Sequence, residues 1–336
     1  MDSLTQIVLG AAVGEACLGK KVGNKAILWG AIAGTIPDLD VLTSNFVDIV
    51  TANEIHRGFS HSILFCLIAA PVFGWLLHTI YPRSEATRKD WTILMFLGLF
   101  THPILDAFTT WGTQLFWPFN YKVSFKNIFV VDPLYTLPFL LCILILMFYK
   151  RTSPTRRRLN NLGLIISSSY ILLTLGLKWF TYTKFEKSLH DQKIPFIAIQ
   201  NKPTPLNTIL WTANVETEDA FLIGFYSLLD DDDSIQYSKF PKNHQLLGDM
   251  ASDPLIHRLI ALTEGWYTIE KKESHIYFND LRFGQLGVVP KANNFVFSYE
   301  LFYENGMLQA KEKEKDVRDI SPLLSQLWSR INGIKP

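Results

Sequence analysis

Cysteine is scarce in this chain. Only 3 occur among 336 residues: Cys17, Cys66 and Cys142, each in an apolar stretch and none in a CxxC pair. That usage excludes a disulfide framework and a thiolate metal site, and leaves the thiols as buried packing groups. A surplus of either charge is also missing. Lys and Arg number 32 against 31 Asp and Glu, a formal net charge of +1, which argues against nucleic-acid binding. Met1-Asp2-Ser3 opens with an acid where a secretory signal carries Lys or Arg, so no cleavable targeting segment is expected. Internal repeats, low-complexity tracts and a GxSxG nucleophile elbow are lacking too.

What the chain does have is a lopsided distribution of apolar residues. A membrane helix needs roughly 20 mostly apolar residues. Residues 62–81, 133–149 and 162–180 meet that need, the last with Lys178 able to snorkel at its end. Residues 91–108 are apolar but carry His102, Pro103 and Asp106. Residues 4–18 and 26–36 are short and rich in Gly and Ala, as in helices that pack closely within a membrane bundle; Glu15 is expected to face protein there. The expected membrane domain, residues 1–180, is thus an α-helical bundle of about six hydrophobic helices, two of them short.

Loop charges orient this bundle. Lys20, Lys21 and Lys25, then Arg83, Arg88 and Lys89, then Lys150, Arg151 and Arg156 to Arg158 fall in alternate loops. The positive-inside rule assigns these loops to the cytoplasm. The loops at 37–61 and 109–132, with the whole tail, are then expected outside. The tail, 181–336, reads as a β-rich α+β soluble domain. Strands are expected at 196–200, 208–217, 220–229, 265–271, 275–284 and 294–303, with a helical insertion at 244–260 and a terminal helix at 322–331. Asp280, Arg282 and Gly284 suit a strand-edge ion pair and turn. Trp111, Phe116, Trp117 and Phe119 suit an interfacial aromatic belt.

Three clusters carry chemistry. Asp38 and Asp40 follow Pro37; in an extended segment both carboxylates point one way and can reach one cation, or they cap the helix end and form a turn. His56 and His61 flank Gly58, which permits a turn that aims both imidazoles at one point; the alternative is a pair of interfacial histidines. Ser60 or Ser62 suits a helix cap. His102 and Asp106 stand at i and i+4, on one helix face, as two ligands or as a mutual hydrogen bond at a kink. Ionisable groups in a membrane segment are costly, so a role is expected of them. Three Asp and three His suit Zn²⁺ or Mn²⁺ better than Ca²⁺. Six ligands exceed one tetrahedral site and suit two ions.

The stretches MDSLTQIVLGAAVGEA, GTIPDLD, HRGFSHS, THPILDAFTTWGTQLF and DPLYTLP, in that order over roughly residues 1–150, resemble the YdjM-like family of inner-membrane-associated, metal-dependent hydrolases. The resemblance implies a multi-pass protein of the bacterial inner membrane, with divalent-metal ligands at Asp38, Asp40, His56, His61, His102 and Asp106. The expected activity is metal-activated water attacking an ester, with a phosphoester or lipid ester as substrate and membrane lipids as partners. Arg57 is expected to stabilise developing negative charge and Glu54 to act as general base. The site and the tail are expected on the extracytoplasmic side. Two rivals remain at this stage: a cation- or proton-coupled transporter using the same Asp and His, and a membrane scaffold acting through its tail.

Overall fold

The computed structural model describes residues 1–289, 294–315 and 320–335. They form two compact units. The first comprises residues 1–46, 54–176 and 205–207; the second comprises 47–53, 177–204 and 208–336.

The first unit is helical. It begins with α1 (Ser3–Val22) and α2 (Asn24–Thr35). Asp2 caps α1 by accepting from the Thr5 N–H. Gly23, at φ 61°, makes the turn between the two helices and donates its N–H to Gly19 O. The helices then meet along their glycines. A Cβ built on Gly10 would lie 2.3 Å from Gly30 O, one on Gly14 2.1 Å from Ala26 O, and one on Gly34 2.5 Å from Gln6 O. Only glycine permits that approach, which buries backbone against backbone without lipid between.

A 3-10 helix, Pro37–Asn45, follows α2 directly. Then come α3 (Ile49–Ile55), a short 3-10 turn at Phe59–His61, α4 (Ile63–Ile80) and α5 (Arg88–Asp106). Thr87 and Asp90 form a reciprocal capping box at the start of α5, and Ser62 caps α4 by accepting from Phe65 N–H. α6 (Pro133–Leu146) starts behind an Asp132 cap and a first-turn proline. α7 (Pro154–Asp191) runs 38 residues from the first unit into the second.

Among the described residues, α4 and α7 are long and apolar enough to cross a membrane. A third span exists if α2 and the 3-10 helix after it, bent by 44°, count as one. Two or three candidate spans stand where the sequence leads one to expect about six hydrophobic helices, two of them short; α6, for example, has 14 residues, about 21 Å at 1.5 Å per residue. α7 goes the other way and outruns the apolar stretch at 162–180 at both ends. Cys66 and Cys142 are buried and Cys17 is half-buried, as packing thiols.

The second unit holds two four-stranded antiparallel sheets, each a meander. One contains β1 (Ala198–Pro203), β2 (Leu210–Glu216), β3 (Ala220–Ser227) and β4 (Tyr237–Pro241). The other contains β5 (Tyr267–Lys272), β6 (His275–Gln285), β7 (Phe295–Glu304) and β8 (Met307–Glu312). A kinked 3-10 segment, His244–Ser252, and α8 (Pro254–Leu262) lie between the sheets in sequence, and α9 (Ser321–Ile331) ends the unit. The strands unforeseen in the sequence, β4 and β8, are both sheet edges. Edge strands carry fewer inward apolar residues and more charge, as YSKFP and MLQAKE do.

Asp280 and Arg282 are not at a sheet edge. They sit on interior strand β6, where the register shifts between Asp280 and Gln285. Both are 1% exposed, joined by Arg282 Nη2 to Asp280 Oδ2 at 2.7 Å. Desolvation of such a pair is offset by this direct geometry and by Glu264 Oε1, 3.5 Å from Arg282 Nη1.

Gly30 tests the helix contact. Alanine gains about 1 kcal/mol of helix propensity over glycine, yet its Cβ would stand 2.2 Å from the Gly10 carbonyl oxygen, a backbone atom that cannot rotate away. Overpacking costs roughly 1–3 kcal/mol, so Gly30→Ala is expected to lower the thermal unfolding midpoint of the purified protein. A raised midpoint would show that this contact is loose.

Candidate metal centre

Three separated stretches of the first unit meet at one point. The 3-10 helix after α2 brings Asp38, the turn before α4 brings His61, and the C-terminal end of α5 brings His102 and Asp106. One ligand atom from each of these four residues lies within 4.8 Å of all the others. His61 and His102 face each other with Nε2 atoms 3.1 Å apart. Asp38 Oδ1 is 3.3 Å from both Nε2 atoms, and Asp106 Oδ2 is 3.5 and 3.6 Å from them.

The partners of the far ring nitrogens fix how these imidazoles are used. His102 Nδ1 lies 2.6 Å from Gly34 O, an acceptor, so Nδ1 carries the proton and Nε2 keeps its lone pair. His61 Nδ1 faces Asp40 Oδ2 at 3.3 Å and Ser60 Oγ at 2.9 Å. A carboxylate or carbonyl behind a histidine in this way orients the ring and raises its basicity toward a cation. In the neutral tautomers that these partners select, two nitrogen lone pairs and two carboxylate oxygens converge with like polarity. Such an arrangement needs a cation or shared protons at its centre.

Asp106 shows the same deficit. Its side chain is fully buried. Oδ1 accepts from Gln6 Nε2 at 2.9 Å and from the Met1 amino group. Oδ2 has no hydrogen-bond donor among the described residues; Arg57 Nε is 3.0 Å away but out of line for a hydrogen bond. The donor set of two imidazoles and two carboxylates fits a borderline divalent ion such as Zn²⁺ or Mn²⁺. Asp38 is the open side: its side chain is 26% exposed, whereas those of His61, His102 and Asp106 are sealed.

The remaining candidates of the sequence lie around this point rather than on it. Asp38 and Asp40 are not in extended backbone. On a 3-10 helix of three residues per turn their carboxylates diverge and grip His61 from opposite sides. Asp40 also accepts from Arg57 N–H at 2.9 Å and Ser60 Oγ at 2.8 Å, and it lies 2.9 Å from His56 Nδ1. His56 is part-exposed and stands edge-on to Trp111, with ring centres 5.5 Å apart. Trp111 is thus largely buried within the site's wall, while Phe116, Trp117 and Phe119 are exposed. In the turn the left-handed residue is Arg57, at φ 61°, and not Gly58; a Cβ on Gly58 would meet Ile55 O at 2.9 Å. Arg57 is 5% exposed and donates from Nη1 to Thr109 Oγ1 at 2.8 Å. Glu54 is half-buried and lies outside the group formed by Asp38, His61, His102 and Asp106.

Gln6, Gly34 and Ser60 were missed as contributors. Gln6 is the recoverable case: a lone amide in the apolar start of α1 is costly in a membrane helix without a polar partner. The Gly34 carbonyl has no sequence signature, because its part depends on where α5 lies.

Burial opposes charging His61, but the carboxylates of Asp106, Asp38 and Asp40 outweigh it and push its pKa from 6.5 up to about 9. A raised value means that, without a metal, this interaction stabilises the fold below pH 6.5 and is lost as pH rises through about 9. Metal binding must displace that proton. Affinity for Zn²⁺ or Mn²⁺, measured by chelator competition, is therefore expected to rise about tenfold per pH unit between pH 7 and 9. A flat profile would show that His61 carries no proton for the metal to displace in that range.

The sequence profile of the YdjM inner membrane protein family matches residues 1–183, which covers every residue of this centre. An uncharacterized protein of Bacillus subtilis (strain 168), YfhP, is 31% identical over 236 residues, covering 67% of this chain and 68% of that protein. The inner membrane protein YbcI of Escherichia coli (strain K12) is 32% identical over 107 residues, 30% of this chain and 60% of that protein. No solved structure matches the chain. With more than half its length inside the family profile, the chain belongs to the YdjM inner membrane protein family.

Proposed function

We propose that this protein is a membrane-bound, metal-dependent hydrolase of phosphoesters or lipid esters. The observation that carries the reading is the convergence of four buried or part-buried ligand atoms within 4.8 Å. Asp38, His61, His102 and Asp106 hold one divalent cation, and their two carboxylates match its charge. A cation there supplies Lewis acidity, lowering the pKa of a water and polarising an ester oxygen. Asp40 positions His61 through Nδ1, and the Gly34 carbonyl does the same for His102.

Arg57 is committed to Asp106 and Thr109. Its role is to offset the buried carboxylate rather than to meet substrate. His56 is the better proton acceptor than Glu54: Asp40 holds its Nδ1 and its part-exposed ring stands beside His61, ring centres 6.0 Å apart. Substrate approaches over Asp38. The surface there is apolar, with Leu39, Val41, Leu42 and Phe46 all more than half exposed, and Phe59 stacks edge-on against Trp117. Such a rim favours a substrate presented at a lipid surface. The Lys and Arg distribution supports an extracytoplasmic position for the site and the tail.

The test uses full-length protein in detergent, with metal content and hydrolysis of model phosphodiesters and carboxyl esters measured together. About one divalent ion per chain is expected, and His102→Ala is expected to lose both ion and activity. Asp40→Asn is expected to lower metal affinity or turnover about 10- to 100-fold, as second-layer partners do. His56→Gln is expected to keep the metal and lose turnover. Metal-loaded protein that hydrolyses no ester, but carries cations into proteoliposomes, would replace the hydrolase by a transporter.

A further inference from the structure

The first unit has a second polar feature, at the start of α7. A cavity of about 720 Å³ opens there, within the roughly 300–1,000 Å³ of small-ligand sites. Lys20 lines it from α1, Arg151 and Ser153 from the loop before α7, and Arg157 and Arg158 from the first turn of α7. Glu15 is the only acid on its wall, and it is already neutralised: Arg156 binds it through Nε at 2.7 Å and Nη2 at 2.5 Å, both side chains being buried. Arg151 pairs with exposed Glu85 at 2.7 Å. Lys20, Arg157 and Arg158 have no acidic partner among the described residues. The cavity therefore holds a fixed surplus of positive charge.

Two further observations say what would neutralise it. The backbone N–H groups that open α7 add a partial positive charge at the same place. Asn160 also lines the cavity, and its Nδ2 donates to Ala12 O, which ties α7 to α1 at this point. The cavity stands where α7 enters its apolar stretch, and Leu162, Ile165 and Ile166 along that helix are exposed. Basic pockets at the ends of membrane helices take anionic headgroups, with the acyl chains lying along such faces.

We infer that the basic cavity between α1 and the start of α7 binds the phosphate of an anionic glycerophospholipid, with Lys20, Arg157 and Arg158 on the phosphate. This site is separate from the metal centre and does not depend on the hydrolase reading. The test titrates full-length protein in detergent with short-chain phosphatidylglycerol, short-chain phosphatidylcholine or inorganic phosphate, following bound ligand by native mass spectrometry. Saturable binding of phosphatidylglycerol at least tenfold tighter than of phosphatidylcholine is expected, weakening as salt is raised. Lys20→Gln and the double variant Arg157→Gln/Arg158→Gln sit on different helices, so one misfolded variant does not remove the test; each is expected to weaken binding about tenfold while metal content stays unchanged. Equal binding of the two lipids, or wild-type affinity in both variants, overturns the site. Inorganic phosphate that binds but is not displaced by phosphatidylglycerol overturns the lipid assignment.

Discussion

A carboxylate and two imidazoles are buried together in the helical unit, and their electrostatic cost organises what surrounds them. An ion buried in a protein interior forfeits several kcal/mol of hydration unless something replaces it. Asp106 is sealed from solvent, and the replacements are the Met1 amino group, Gln6 on α1, Arg57 from the turn before α4, with Thr109 steadying that arginine, and the imidazoles of His61 and His102. Of these groups only His102, one turn earlier, and Thr109, one turn later, are local to Asp106. The unit must therefore be assembled before the charge can be buried, and the same assembly creates the ligand set.

The glycines of α1 and α2 make this assembly possible. By letting two backbones touch, they bring Gln6 and the Gly34 carbonyl to the side of α5 that carries His102 and Asp106. The 3-10 helix that continues α2 then delivers Asp38 to the front of the histidines and Asp40 to their rear. A small-residue contact in the helix pair thus sets the second layer of a polar site one helix away. The strained backbone of Arg57 belongs to the same arrangement: its N–H meets Asp40 while its side chain meets Asp106 and Thr109. A left-handed, non-glycine residue persists where surrounding contacts over-determine it.

The second unit is built on ordinary principles: meander sheets, polar edges, a bulge that buries the Asp280–Arg282 pair. Its segment 47–53 lies in the chain between the aspartates and histidines of the centre, yet packs with the sheets. Val50 joins the cluster of Leu247, Ile256 and Tyr299, and Asn53 donates to the Tyr299 hydroxyl at 3.2 Å. The chain thus leaves the helical unit and returns to it between two of the site's contributing stretches. That excursion could not be read from composition, because 47–53 is neither long nor strongly apolar.

Much of this protein was legible in its residues taken in order. Apolar run length marked α4 and the middle of α7, strand-forming patterns marked six of the eight strands, and motif spacing, with the cost of ionisable groups among apolar ones for His102 and Asp106, marked six candidates that include Asp38, His61, His102 and Asp106. Those signals are local, and local chemistry decides them. The division of labour among the polar residues was not local. Asp38 and Asp40 are two residues apart, and only the turn of the 3-10 helix sends one toward the ligand cluster and the other behind His61. Gln6 and Gly34 entered through the α1–α2 contact, and Arg57 was drawn from a presumed substrate-facing role into pairing a buried acid. Sequence established which groups were too costly to be idle; tertiary structure alone decided which of them point at a common centre, because direction depends on backbone geometry and on neighbours far away in the chain.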